Sequence, residues 1–179
     1  MNLELVFLIS AILCPLVVNL IWRRPDLLLL AASVSYILTG FLLTTEAGIA
    51  LSQWLLTDRA YHDTYYVVAK GYWLNIGVVM LFLSAVAWVQ VKVGAMRHDN
   101  LTKALIWTLH LGLLFFLGLP EIFTTFSVMP RRYVDYPDYF YAFNPLTNSA
   151  LIVVATALIG LIALMVWSLY RTWMSRRAP

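Results

Sequence analysis

His62 and Asp63 stand side by side in a short polar stretch between two apolar runs. An imidazole beside a carboxylate suits a hard cation such as magnesium, which takes carboxylate oxygen and tolerates few protein ligands. The same pair equally makes a hydrogen-bonded loop turn packed against an arginine. Arg131 and Arg132 form a second adjacent pair, whose forked guanidinium donors match carboxylates. They also suit Asp135, Asp138 or lipid headgroups as partners. Lys70 and Glu121 each lie within an apolar stretch, where a charge is costly and usually paired. Cys14 is the single cysteine, so it makes neither an internal disulfide nor a multi-cysteine metal site. A small buried hydrophobe is its expected role. His98 falls between apolar runs. His110 lies within one and is of the kind more often a satisfied polar core residue than a ligand.

The elements that must position these residues are membrane helices. The chain has 179 residues, 62% hydrophobic and 12% charged, against about a quarter charged in ordinary soluble domains. The apolar excess gathers in five runs, Leu3–Trp22, Leu27–Thr45, Thr64–Val93, Leu101–Val128 and Leu146–Trp173. Each is long enough to cross roughly 30 Å of hydrocarbon as a helix, and the last three must tilt or project. The first run has no basic residues before it and no small-residue cleavage site after it, so it reads as a retained helix stopping at Arg23-Arg24. The segment 46–56 fits either a continued helix or an interfacial stretch.

Loop charges set an orientation. Arg23 and Arg24, then Lys92, Arg97 and Lys103, then Arg171, Arg176 and Arg177 fall on one side, which the positive-inside rule assigns to the cytoplasm. The N-terminus and the loops around Arg59–Asp63 and Met129–Pro145 then face outward. Because the basic residues sit at membrane edges, the net charge of +3 calls for membrane lipids and no nucleic acid.

Two strings carry a resemblance. The first is His62-Asp63-Thr64-Tyr65-Tyr66-Val67-Val68-Ala69, and the second is Met129-Pro130-Arg131-Arg132 followed by Asp135-Tyr136-Pro137-Asp138 and Asn144. Both resemble, in order, segments of subunit I of the haem–copper cytochrome c oxidases, where Phe143 is replaced by Trp and Pro120 matches a further proline. The resemblance covers roughly the last five of that family's twelve helices and is strongest from His62 to Asn144. It implies that the two strings sit together on the outer face. His62 and Asp63 would lie at a magnesium ion completed by subunit II, and Arg131 and Arg132 would hold haem propionates or another anion.

The departure from the family comes immediately after the first string. The family reads His-Phe-His-Tyr and supplies two haem-iron ligands there, whereas this chain reads Lys70-Gly71-Tyr72-Trp73. A buried ammonium is a poor ligand, and tyrosine ligates haem only in some proteins. The resemblance places the family's other haem and copper ligands on earlier helices. No cofactor is therefore expected, and haem only where a partner supplies ligands. Lys70 lies eight residues after His62 and Glu121 ten before Arg131, so the two are expected at similar depth as a buried ion pair in the vacated pocket. The alternative is Lys70 snorkelling to lipid phosphate. Gly71 suits close helix approach, and Tyr72 and Trp73 suit either the space a porphyrin would fill or ordinary packing.

The expected architecture is an all-α, integral membrane bundle of about five transmembrane helices. It is one domain over 1–179, with the N-terminus outside and the C-terminus cytoplasmic, in a bacterial inner membrane. The expected function is a non-catalytic, subunit I-like component of a respiratory or oxidase-associated complex, packed against other membrane subunits with a degenerate active site. The alternatives are one chain of a split oxidase whose catalytic helices lie elsewhere, and a haem- or anion-handling assembly factor.

Overall fold

The computed structural model describes residues 3–44, 64–96, 98–125 and 136–177, with side chains over 9–41, 72–96, 98–117 and 145–176. The described residues form five α-helices and no strand: α1 Leu3–Trp22, α2 Pro25–Thr44, α3 Thr64–Lys92, α4 Asp99–Thr125 and α5 Tyr136–Arg177. The fold is all-α, as its apolar runs predict.

Helix ends follow local chemistry. Arg23 adopts φ 50°, the left-handed geometry that stops α1, and its N–H donates to Asn19 O at 3.1 Å. Pro25 then opens α2, where a missing N–H costs nothing. The end of α3 is a Schellman motif centred on Gly94 at φ 68°. In it Ala95 N–H donates to Gln90 O at 2.8 Å and Gly94 N–H to Val91 O at 3.2 Å. Asp99 opens α4 and pairs with Lys103 one turn on.

Among the described residues, three stretches are long and apolar enough to cross a membrane: Tyr72–Lys92, Asp99–Leu117 and Pro145–Arg176. The described side chains of α1 and α2 form shorter apolar stretches, Ile9–Trp22 and Pro25–Phe41. Each of those helices has 20 residues of backbone, about 30 Å at 1.5 Å per residue. The polarity is that of a membrane bundle. Phe82, Ile152 and Ile159 point outward at 69%, 66% and 68% exposure, while Ser33, Gln90, Thr102 and His110 are buried. Lipid accepts apolar side chains, and the buried polar groups find partners inside.

Sequential neighbours run antiparallel. The tightest seam joins α2 to α3. A methyl group on Gly40 would lie 2.5 Å from Leu74 N, and one on Gly77 would lie 2.6 Å from Ile37 Cγ1. Only glycine lets the backbones come this close. Ser33 Oγ donates to Gly77 O at 2.8 Å and Ser84 Oγ to Asp26 O at 3.0 Å along the same seam. A second seam joins α4 to α5, where Gly112 faces Val154 and Gly160 faces Leu105. Gln90 Nε2 donates to Met165 O at 2.7 Å, and Arg176 Nη2 donates to Val93 O at 3.1 Å. These bonds tie α3 to α5. Tyr36, Met80, Ile106, Leu109 and Leu161 fill the core.

One expectation is corrected. The stretch Tyr136–Pro145 belongs to α5 rather than to an outward loop. Pro137 falls in the first turn, where proline is tolerated, and Pro145 lies within the helix, which continues past it. With 42 residues, α5 is about 63 Å long and projects well beyond a bilayer.

Candidate functional site

The resemblance directs attention to the start of α3, and just past it Trp73 borders a buried polar cluster. A helix turns about 100° per residue, so Tyr72 and Trp73 face different ways. Tyr72 is 55% exposed, whereas Trp73 is 7% exposed and packs inward. The Trp73 ring lies 5.6 Å from the Tyr36 ring, tilted by 40°. The Tyr36 ring meets His110 edge-on at 5.4 Å, and Trp107 on α4 meets His110 at 5.8 Å. Tyr36 of α2 thus stands between Trp73 of α3 and His110 of α4.

His110 is fully engaged. Its Nε2 lies 3.0 Å from Ala11 O, and its Nδ1 lies 3.0 Å from the Tyr36 hydroxyl. A carbonyl only accepts, so Nε2 carries the proton and Nδ1 accepts from Tyr36; this tautomer is assigned from the network. The Tyr36 hydroxyl also lies 3.2 Å from His110 O, within reach of the same donated proton. The arrangement joins α1, α2 and α4 and leaves no lone pair of the imidazole free. It is the satisfied polar core residue expected of a lone histidine in a span. His98 is exposed and lies against Trp167, their ring centroids 6.5 Å apart.

The sequence-predicted site residues divide into three groups. His62, Asp63, Arg131 and Arg132 lie outside the described residues. Lys70 and Glu121 have described backbones, on α3 and α4, while their side chains lie outside the described residues. Tyr72 is described and faces out of the bundle. Cys14 is exposed on α1 rather than buried, because α1 turns Ala11 and Pro15 inward instead. Among the described residues no three His, Cys, Asp or Glu side chains converge on a possible metal site.

Sequence reasoning missed Tyr36 and Asp26. A tyrosine within an apolar run was the available signal for the first. Asp26 is 1% exposed and receives Arg24 in a fork, Nη2 to Oδ2 at 2.6 Å and Nε to Oδ1 at 3.1 Å. Its carboxylate, through the hydrogen bond and then its charge, raises the Arg24 guanidinium above its ordinary value.

Comparison with known proteins points one way. No protein-family profile and no solved structure matches the chain. Cytochrome c oxidase subunit 1 of Albinaria turrita is 36% identical over 134 residues, 73% of this chain and 66% of that protein. The Cereibacter sphaeroides protein of the same name is 40% identical over 101 residues, 54% of this chain and 17% of that protein. That of Plasmodium berghei is 40% identical over 88 residues, 45% of this chain and 17% of that protein. The chain thus spans less than two thirds of these relatives' own length. With its apolar helices and the two strings around His62 and Arg131, this is a cytochrome c oxidase subunit 1-like integral membrane protein.

Proposed function

We propose that the chain is a non-catalytic, subunit 1-like component of a respiratory or oxidase-associated membrane complex, in a bacterial inner membrane with its basic end in the cytoplasm. The observation that carries this reading is the pair Lys70 and Tyr72 at the family's two haem-ligand positions, within a stretch that otherwise keeps the oxidase string. A lysine ammonium is a poor ligand at neutral pH, and tyrosine ligates haem only in some proteins. The outward face of α3, with Tyr72, Val78, Val79 and Phe82 exposed, offers a surface for a neighbouring membrane subunit. In the same proposal Lys70 pairs with Glu121. Arg131 and Arg132 would hold an anion, and His62 with Asp63 would hold magnesium, only where a partner completes those sites.

Purification from native membranes in mild detergent tests this reading. Other respiratory membrane subunits should co-purify, and the chain separated from them should show no Soret absorbance. A Soret band that stays with the isolated chain through washing would overturn the proposal. Partial coverage of the relatives favours a second reading, in which another chain brings the catalytic helices of a split oxidase. A co-purifying chain with those helices, in a complex that absorbs as a haem protein and reduces dioxygen, would establish it instead.

A further inference from the structure

The turn between α1 and α2 meets the turn between α3 and α4 at one end of the bundle. Between them lies a crevice of about 320 Å³ lined by Arg23, Arg24, Pro25, Val91, Gly94, Met96 and Asp99. This end also holds Lys92, Lys103, Arg171 and Arg176. Arg176 bonds to Val93 O, and Trp167 lies against His98. Among the described residues, six basic side chains here face two carboxylates, Asp26 and Asp99.

Both carboxylates are already neutralised, Asp26 by Arg24 and Asp99 by Lys103. The positive surplus therefore remains open. Arg23 is exposed and has no side-chain partner among the described residues. Arg24 gives Nε and one Nη2 proton to Asp26, which fixes its plane and leaves three of its five N–H donors. The crevice sits where the apolar runs stop, beside an aromatic and cationic belt. Trp22 is exposed, Lys92 lies over the Trp88 ring at 5.6 Å, and Arg171 lies over the Trp167 ring at 4.9 Å. Such belts mark the headgroup level of a bilayer.

We propose that this crevice binds the phosphate of an anionic phospholipid headgroup, with Arg23 and Arg24 as its donors. Arg24 is held ready by Asp26, Arg23 closes on the ligand, and Trp22 lies against the acyl chains. Basic pockets between helices at a membrane edge are suited to such headgroups. The inference does not depend on any oxidase role, because the crevice lies at the end of the bundle remote from the expected position of His62.

The test uses the full chain in nanodiscs of phosphatidylcholine with or without phosphatidylglycerol, with retained lipid read by native mass spectrometry after detergent extraction. Phosphatidylglycerol should be retained in preference to phosphatidylcholine. Arg23→Gln should lower that retention about fivefold, while Arg171→Gln, an equal charge change outside the crevice, should leave it within twofold. Circular dichroism confirms helicity, and Arg23→Lys, which keeps the charge, should restore part of the retention. Equal loss in Arg23→Gln and Arg171→Gln, or no preference between the two lipids, would overturn the proposal. So would millimolar inorganic phosphate displacing the lipid, since the site would then be a free-phosphate site.

Discussion

The Tyr36 hydroxyl and His110 Nδ1 lie 3.0 Å apart in the buried core, joining α2 to α4 across 74 residues of sequence. His110 Nε2 extends the link to Ala11 O on α1. Tyr36→Phe keeps the ring but strands Nδ1 without a donor. It should lower stability by about 1–2 kcal/mol in a reversible detergent unfolding titration. An unchanged midpoint would mean that the hydroxyl contributes nothing.

Gln90 gives the opposite expectation. Its Nε2 donates to Met165 O, while its buried Oε1 has no partner among the described residues. Gln90→Met removes one hydrogen bond and one stranded acceptor together, so the two changes nearly cancel. The same titration should move by less than about 0.5 kcal/mol. A loss as large as that of Tyr36→Phe would show that water or another donor satisfies Oε1.

The α2–α3 seam should tolerate no side chain at its closest approach. In Gly40→Ala the new methyl would meet Leu74 N at 2.5 Å, a backbone atom that cannot swing aside. The helices must part, at a cost of about 1–3 kcal/mol. Gly94→Ala meets nothing within 4 Å and is strained only by its φ of 68°. It should cost about 1 kcal/mol. Thermal unfolding of the two variants side by side checks the order.

Arg24 and Asp26 should behave as a unit. Arg24→Gln leaves a buried carboxylate without its cation, so the unfolding midpoint should fall, and Asp26→Asn in the same chain should recover part of the loss. The raised pKa of Arg24 fixes the sign of any pH effect. Its stabilisation is fully present below the ordinary guanidinium value and is lost only as pH rises through the higher folded value. Between about pH 6 and 9 the Arg24 guanidinium should thus add no slope to stability. Unfolding midpoints of wild type and Arg24→Gln across that range should differ by a constant.

A double-mutant cycle tests the proposed pairing of Lys70 with Glu121. Trp73 and His110 both meet Tyr36, and from that level Lys70 lies three residues along α3 and Glu121 eleven along α4. On straight helices the axial offset is about 12 Å. A direct pair therefore needs tilt or bending of the helices. A direct pair should give a coupling of at least about 1 kcal/mol between Lys70→Met and Glu121→Gln, whereas a snorkelling Lys70 should give additive effects within about 0.5 kcal/mol.

The sequence alone determined that the chain is helical and membrane-embedded, because run length and hydrophobicity are local quantities. The expected starts at Leu27 and Leu101 fall within two residues of those observed at Pro25 and Asp99. The two strings also revealed the kinship with cytochrome c oxidase subunit 1. Tyr136–Asn144 read as a loop because its polar residues and Pro137 interrupt the apolar run, yet backbone hydrogen bonding within α5 outweighs both. Tertiary structure alone decided that Tyr36 meets His110, that Gln90 meets Met165, and that the Arg23–Arg24 turn meets Gly94. Those partners lie about seventy residues apart in sequence, and nothing in hydropathy specifies them. They follow from how closely Gly40 and Gly77 let α2 and α3 approach, and from the need of each buried polar group for a partner where water is absent.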